Sequence, residues 1–376
     1  MRQTTSSSAV SLLFGAAVMV GATLAVATLT AARAATDDAE ICMQASGGVA
    51  TAACTRAIEA GTHEGRELAK LYYYRAFEYG AKGDNDRAIA DDDEAIRIDP
   101  DYAIAFYGRG NAWSSKGDND RAIADYSEAV RLDPSDGDYY NNRGIARQIK
   151  GDYDLAIADY NEAIRLDPKD PAYYDNRGNS WHLKGDSDRA IADYSEAIRL
   201  NPKDACAFYN RGSAWDDKGD NDRAIADLNE AIRIDPNYAA AFNNRGNAWS
   251  SKGDNERAIA DYDQAIRIAP DYASAFHNRG VAWNRKGDSL RAIADYSEAI
   301  RLDPKDAIAY FGRGNAWSRK GDYDRAIDDF NAAIGLKPND PDFYLNRGIA
   351  RKAKGDYLHA IADLSKVIRL RLSAAN

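Results

Sequence analysis

Residues 103–136 read AIAFYGRGNAWSSKGDNDRAIADYSEAVRLDPSD, and this pattern recurs along most of the chain. Phe106, Gly110 and Trp113 stand at helical spacing on one face of a first segment. After Lys116, Gly117 suits the left-handed conformation that ends a helix, and Asp118 is a good N-cap for the next one. Ala122, Ile123, Tyr126, Ala129, Val130 and Leu132 then form a second apolar stripe of helical period. Asp133-Pro134 closes it, because proline cannot extend a helix through its own missing N–H. The stretch therefore predicts a hairpin of two helices, A and B.

Outward from this unit, prolines fall at Pro100, Pro134, Pro168, Pro202, Pro236, Pro270, Pro304 and Pro338, each 34 residues from the last. Lys-Gly-Asp keeps the same period from Lys82 to Asp356, and Arg-Gly keeps it from Arg109 to Gly348. Nine units tile residues 69–374. A lone hairpin is too small to supply a stabilising core, so the units must stack, with the large Phe106, Trp113 and Tyr126 set against small residues such as Gly110, Ala122 and Ala129. The fold class is all-α.

In period and in placement the unit resembles the tetratricopeptide repeat. Numbered from 1 at Ala103, its large residue at 4, small at 8, aromatic at 11, small at 20, aromatic at 24, Ala at 27 and Pro at 32 are Phe106, Gly110, Trp113, Ala122, Tyr126, Ala129 and Pro134. The resemblance implies a right-handed superhelical α-solenoid of tetratricopeptide helix hairpins. It also implies a concave groove made mainly by helix A positions 2, 5, 6, 9, 12 and 13, and a scaffold that binds other proteins.

Length and composition agree with an array: the 376 residues look alike from end to end, and no separate block remains for a catalytic domain. The net charge of −10 becomes −12 once Arg2 and Arg33 leave with a leader, which disfavours nucleic acid and anionic membranes. Residues 1–34 read as that leader: Arg2, an uncharged run from Ala9 to Leu29, then the small-x-small box Ala32-Arg33-Ala34. The run is also near the length of a bilayer span, so an uncleaved anchor is the alternative. Cleavage gives a periplasmic or secreted protein with no membrane segment.

Residues 35–68 form a degenerate capping hairpin with Ala57-Ile58 in the helix B register, and 375–376 are a short tail. Cys42 and Cys54 flank Gly47-Gly48 almost symmetrically, which faces the thiols across a turn for a disulfide worth about 3 kcal/mol in an oxidising compartment, or else buries two free thiols. Cys206 has no partner and reads as a packing residue. The last unit replaces proline with Leu372 and lacks a polar cap, so its apolar flank is a candidate site for homo-oligomer formation.

Against the family pattern, position 7 is Arg in all nine units, from Arg75 to Arg347, with Asp 16 residues later, from Asp91 to Asp363. Folding helix B onto helix A predicts a ladder of Arg–Asp pairs; two solvated faces are the alternative. Trp gives way to Arg147 and Arg351 in units three and nine, where Tyr153 and Tyr357 are expected to fill the seam instead.

Catalytic and metal motifs are not made. Trp113, Trp181, Trp215, Trp249, Trp283 and Trp317 belong at the seam rather than in a stacking platform. Gly108-Arg109-Gly110 lacks the third glycine and the strand of a phosphate loop, and Gly178-Asn179-Ser180-Trp181-His182 lacks the second glycine of a nucleophile elbow. His63, His182, His277 and His359 have no paired ligand spacing, and Asp118-Asn119-Asp120 lacks the glycine and glutamate of a calcium loop. No cofactor is implied.

Variation between units concentrates on the helix A positions that the resemblance assigns to the groove. Position 5 carries Tyr73, Tyr107, Tyr209, His277 and Phe311 among others, and position 6 carries Asn142, Asn176, Asn210, Asn244 and Asn278. Asparagines spaced along a groove suit the backbone of an extended peptide, with Tyr107, Phe311, Ile145 and Ile349 as apolar anchors. The Lys and Arg residues with which some relatives grip a C-terminal carboxylate are missing; Arg285 and Arg319 are the basic groove charges. Alkylation of the mature chain without reductant tests the cysteine reading: one label, on Cys206, is expected, and three labels would mean free Cys42 and Cys54.

Overall fold

A computed structural model describes residues 34 and 36–374, so the predicted leader, Ala34 apart, and the tail at 375–376 lie outside the described residues. Two compact units divide at Lys184 and Gly185. The first holds α1 (36–44), α2 (Gly47–Glu59), α3 (Gly65–Ala81), α4 (Asn85–Ile98), α5 (Ala103–Ser115), α6 (Asn119–Leu132), α7 (Gly137–Ile149), α8 (Tyr153–Leu166) and α9 (Pro171–Leu183). The second holds α10 (Ser187–Leu200), α11 (Ala205–Asp217), α12 (Asn221–Ile234), α13 (Ala239–Ser251), α14 (Asn255–Ile268), α15 (Ala273–Arg285), α16 (Ser289–Leu302), α17 (Ala307–Arg319), α18 (Tyr323–Leu336), α19 (Pro341–Lys354) and α20 (Tyr357–Ala374). From α3 onward odd numbers are helices A and even numbers helices B. None of the described helices is long and apolar enough to cross a membrane.

The local causes are those of the sequence. Gly117 turns with φ +80°, and the Asp118 side chain accepts from the Arg121 amide at 3.1 Å, satisfying one orphan donor of α6. Position 8 and position 24 then fit as groove and wedge. A Cβ on Gly110 would stand 2.7 Å from the Tyr126 ring, and one on Gly246 2.6 Å from Tyr262, so only glycine lets helix A close on the ring. In both units consecutive helices A touch, α3 with α5 and α5 with α7, α11 with α13 and α13 with α15, whereas no described helix B touches the next. The A side is therefore the inner side of each stack.

The Arg–Asp ladder is formed. Arg211 donates from Nε to Asp227 Oδ2 at 2.8 Å and from Nη2 to Oδ1 at 2.7 Å. The same fork joins Arg109 to Asp125, Arg245 to Asp261, Arg279 to Asp295 and Arg313 to Asp329. These aspartates are buried, Asp227 being only 7% exposed. The remaining Nη1 reaches back to the preceding helix B: Arg211 to Ser195 at 3.0 Å, Arg245 to Asn229 at 2.7 Å, Arg347 to Asn331 at 2.6 Å. One guanidinium thus ties three helices.

The tryptophans occupy the seam half-buried, and Trp113, Trp215, Trp249, Trp283 and Trp317 each carry a guanidinium from their own helix B over the ring, as Arg121 lies 4.2 Å from the Trp113 centroid and Arg223 3.6 Å from Trp215. In units three and nine the expected transfer of the aromatic fails in the last: Tyr357 is 63% exposed. There Arg351 itself turns in and shares Asp363 with Arg347, at 2.8 Å and 2.5 Å, as Arg147 shares Asp159 with Arg143. A second guanidinium, reaching in through Nη1, takes the tryptophan's place because the buried carboxylate has lone pairs to spare.

At the start of the chain α1 and α2 pack on α3 through Cys42, Ala53, Cys54, Ala57 and Leu71. The Cys42 and Cys54 sulfurs are bonded at 2.10 Å. Glu78 is buried and accepts from the Gly47 amide at 2.6 Å, a negative charge at the positive end of α2. α3 begins at Gly65, a turn before the boundary the period sets at 69. Cys206 is exposed, not packed: it stands in the first turn of α11 with its sulfur 4.0 Å from the Tyr238 hydroxyl and nothing closing over it. A double-mutant cycle on Arg211→Ala and Asp227→Ala should give a coupling of about 1–3 kcal/mol; a value near zero would mean that the pair acts as a solvated one.

Candidate functional site

Helices A present positions 5, 6 and 9 to the inner side, and the structure uses most of positions 5 and 6 to hold neighbouring hairpins together. Asn142 Nδ2 donates to Tyr107 Oη at 2.9 Å and Asn111 Oδ1 at 3.0 Å, while its Oδ1 accepts from Asn141. Asn244 does the same to Tyr209 and Ser213, at 3.1 Å and 3.0 Å, and accepts from Asn243. Both amides are saturated by their neighbours. Asn176 and Asn278 each spend one N–H, on Asn141 Oδ1 at 2.9 Å and Asn243 Oδ1 at 3.1 Å. Asn210, half-buried on α11, is likewise not free.

The position 5 aromatics are likewise half-embedded. The Tyr107 ring lies 4.9 Å from that of Tyr139 on the next helix A, and Phe311 lies 5.0 Å from Phe343. What stays open is position 9 of the first and last repeats, where Phe77 is 61% and Ile349 54% exposed, whereas Ile145 at the same position is half-buried. Arg285 and Arg319 are exposed but engaged: Arg285 donates to Ser250 Oγ at 2.5 Å, and Arg319 to the Asn284 carbonyl at 2.6 Å, each binding the last turn of the preceding helix A. Sequence reasoning missed this lattice because its bonds join residues 31 to 35 apart on different hairpins.

In the second unit an open, polar depression of about 480 Å³ is lined by Asn243, Asn247, Tyr272, His277, Asn278 and Asp306. His277 Nδ1 meets Asp306 Oδ2 at 2.9 Å. Burial pushes the Asp306 carboxyl up, but the His277 bond and the Ala309 and Ile308 amides outweigh it and hold it below the ordinary value.

The first repeat differs at one point. Position 24 is a buried Tyr126, Tyr160, Tyr194, Leu228, Tyr262, Tyr296 or Phe330 in the second to eighth repeats and an exposed Leu364 in the last, yet in the first it is Asp92, 2% exposed, whose Oδ1 has no hydrogen-bond partner. Position 8 changes with it: Ala76 stands where the tyrosine-bearing units have glycine. The missing ring leaves a cavity of about 230 Å³ on the inner side, lined by Tyr73, Ala76, Phe77, Ala88, Asp92 and Tyr107 among others. Burial holds the Asp92 carboxyl well above the usual carboxylate range, reinforced by the charges of Asp91, Asp125 and Asp93 against the single opposing charge of Arg109. The cavity escaped sequence reading, although its signal, an acid in an aromatic column beside an alanine in a glycine column, was there.

Among the described residues no three His, Cys, Asp or Glu side chains converge as metal ligands. His63 and His359 are not buried, and His359 Nδ1 meets Asp356 of its own helix start at 2.8 Å. His182 lies on α9, half-buried.

The chain matches a tetratricopeptide repeat model over residues 75–136, 114–171, 184–239 and 282–341, and a further repeat model over 247–287. Among solved structures it is similar to a tetratricopeptide repeat protein from Parabacteroides merdae, with a TM-score of 0.54 and 19% identity over 66% of this chain and 98% of that one. The Cut9–Hcn1 hetero-tetramer of the APC/C gives 0.53 and 16% identity, covering 86% and 80%. The pilF protein of Pseudomonas aeruginosa gives 0.50 and 16%, covering 56% and 96%. At these identities the likeness is one of fold. No curated protein matches the sequence.

An acid whose pKa is raised on folding favours the native state fully only below its unfolded value, about 3.9, and loses that contribution as pH rises toward the folded value. Asp92→Asn should therefore match the parent in melting temperature near pH 4 and exceed it increasingly toward pH 7. A difference that does not change with pH would show that Asp92 is not held neutral.

Proposed function

We infer function from the premise that this chain belongs to the tetratricopeptide repeat family, whose members are in general non-catalytic scaffolds for other proteins. We propose that this one is an adaptor outside the cytoplasm, periplasmic or secreted, that holds an extended protein segment along its helix A face. The observation that carries the reading is the division of labour within each hairpin. The Arg–Asp ladder repeats unchanged and the seam with few exceptions, while helix A positions 5, 6 and 9 vary and leave Phe77 and Ile349 exposed. An apolar side chain kept exposed among polar neighbours is a contact site rather than a packing one.

The first residues support the location: the leader pattern of 1–34 is that of an exported chain, and the bonded pair Cys42–Cys54 persists in an oxidising compartment. A second reading is favoured by α20, where Leu358, Ile361, Ile368 and Leu372 are 61–77% exposed along the flank that a further hairpin would cover. Its occupant in that reading is a second copy of the chain.

One crosslinking experiment separates the two. Benzoylphenylalanine at Phe77, at Ile349, at Leu358 and, as an outer-face control, at Arg131 is irradiated in the native compartment. Adducts with another protein from Phe77 and Ile349 but not Arg131 are expected. A dimer of the chain from Leu358 alone favours assembly, and equal yields at all four positions would contradict a defined inner-face site.

A further inference from the structure

The cavity beneath Phe77 is not a packing defect, because three neighbouring positions are adjusted to it. Asp92 replaces the wedge ring, Ala76 replaces the glycine that the ring elsewhere demands, and position 6 of the next helix A is Gly108 where most units carry asparagine. A Cβ on Gly108 would stand 3.0 Å from Asp92 Oδ2 and 3.3 Å from the Tyr73 ring, so the glycine keeps the approach to the carboxyl clear. The result is a cavity lined by the rings of Tyr73, Phe77 and Tyr107 and by alanine methyls, with the polar Asn85, Asn111 and Ser115 beside them and the buried Asp92 carboxyl within.

That lining selects its ligand. An unpaired buried carboxylate is costly, and a cation placed against it removes the cost while leaving the aromatic faces to add cation–π attraction. An anion is repelled. A hard metal ion calls for several converging carboxylates, and this lining supplies Asp92 alone. At about 230 Å³ the cavity falls below the ~300–1,000 Å³ of pockets for drug-sized molecules, and its size suits one side chain. We propose that this cavity is a receptor for an ammonium or guanidinium group on an unbranched aliphatic stem, supplied by a lysine or arginine of the segment bound on the helix A face. The source of the cation rests on the inner-face reading above; the cavity chemistry does not. Burial raises the Asp92 carboxyl above its ordinary range and a bound cation favours its ionised form, so uptake of the cation is expected to be coupled to release of a proton.

The test is a titration of the full chain with n-butylammonium and methylguanidinium, with 1-pentanol as the neutral control, followed by amide NMR shifts. Both cations should perturb residues within 73–115 and bind at least tenfold more tightly than pentanol. Asp92→Asn keeps the shape without the charge and should weaken cation binding at least tenfold. Phe77→Ala, at an exposed position that does not threaten the fold, should weaken it several-fold. Calorimetry in two buffers of different ionisation enthalpy should show proton release for the parent and none for Asp92→Asn. Extended peptides that differ only by lysine or norleucine then test the source, the lysine form binding more tightly to the parent but not to Asp92→Asn. If neither small cation binds, or Asp92→Asn binds them as well as the parent, the cavity assignment is overturned whatever the inner face does. If the small cations bind as expected and no peptide does, the cavity assignment stands and the segment-binding reading falls.

Discussion

The guanidinium at position 7 is the interaction on which the array depends. In Arg109 it forks onto Asp125 of its own helix B at 2.6 Å and 2.8 Å, and reaches Asp93 of the preceding helix B at 2.5 Å. A bulky aliphatic there would fill space but fix nothing, whereas a planar fork with five donors specifies both the pairing of helices within a hairpin and the register of one hairpin on the next. The carboxylate it meets is buried, so losing either partner strands a charge. With register already held by the ladder, the inner face of helix A can vary in how it joins neighbouring hairpins, as Asn142 to Tyr107 in one repeat and Arg319 to Asn284 in another.

The second constraint is volume. Wherever position 24 is tyrosine, position 8 is glycine, and the ring then fills the gap between two helices A. Gly312 shows how tight the fit is, since a Cβ there would stand 2.6 Å from the Tyr296 ring of the preceding unit. Against so regular a filling, the first unit, with Asp92 and Ala76, has given up a wedge without letting the hairpins collapse. Stability surrendered locally while the scaffold stays intact is what the proposed binding site would require.

Much of this was legible in the sequence, because periodicity exposes one-dimensional causes. The 34-residue spacing of proline and of Lys-Gly-Asp gave the hairpins, and the constant 16-residue step from Arg to Asp gave the ladder, since both partners lie within one hairpin. The facing of Cys42 and Cys54 followed from a turn between them. What was not legible needed two hairpins at once. The asparagines suited to a peptide backbone turn out at Asn142 and Asn244 to be saturated by neighbours, and Arg285 and Arg319 spend their donors on the helix before them. Cys206 and Tyr357 were misjudged for a related reason: a position's burial depends on what packs over it, and composition alone does not show that. The cavity lay between these cases, visible in the columns of the repeat but not in any single unit.

The measurement that bears most directly on the division between scaffold and site is the stability of the chain with its first unit restored to the repeat, as Ala76→Gly with Asp92→Tyr. Filling the cavity with the usual ring removes both an empty volume and a buried unpaired carboxyl, so urea unfolding at pH 7 should show the double variant more stable than the parent by roughly 1–3 kcal/mol. Asp92→Tyr alone should gain less, because the Ala76 methyl stands where the ring must lie. A double variant no more stable than the parent would contradict the view that the first unit has exchanged packing for a site.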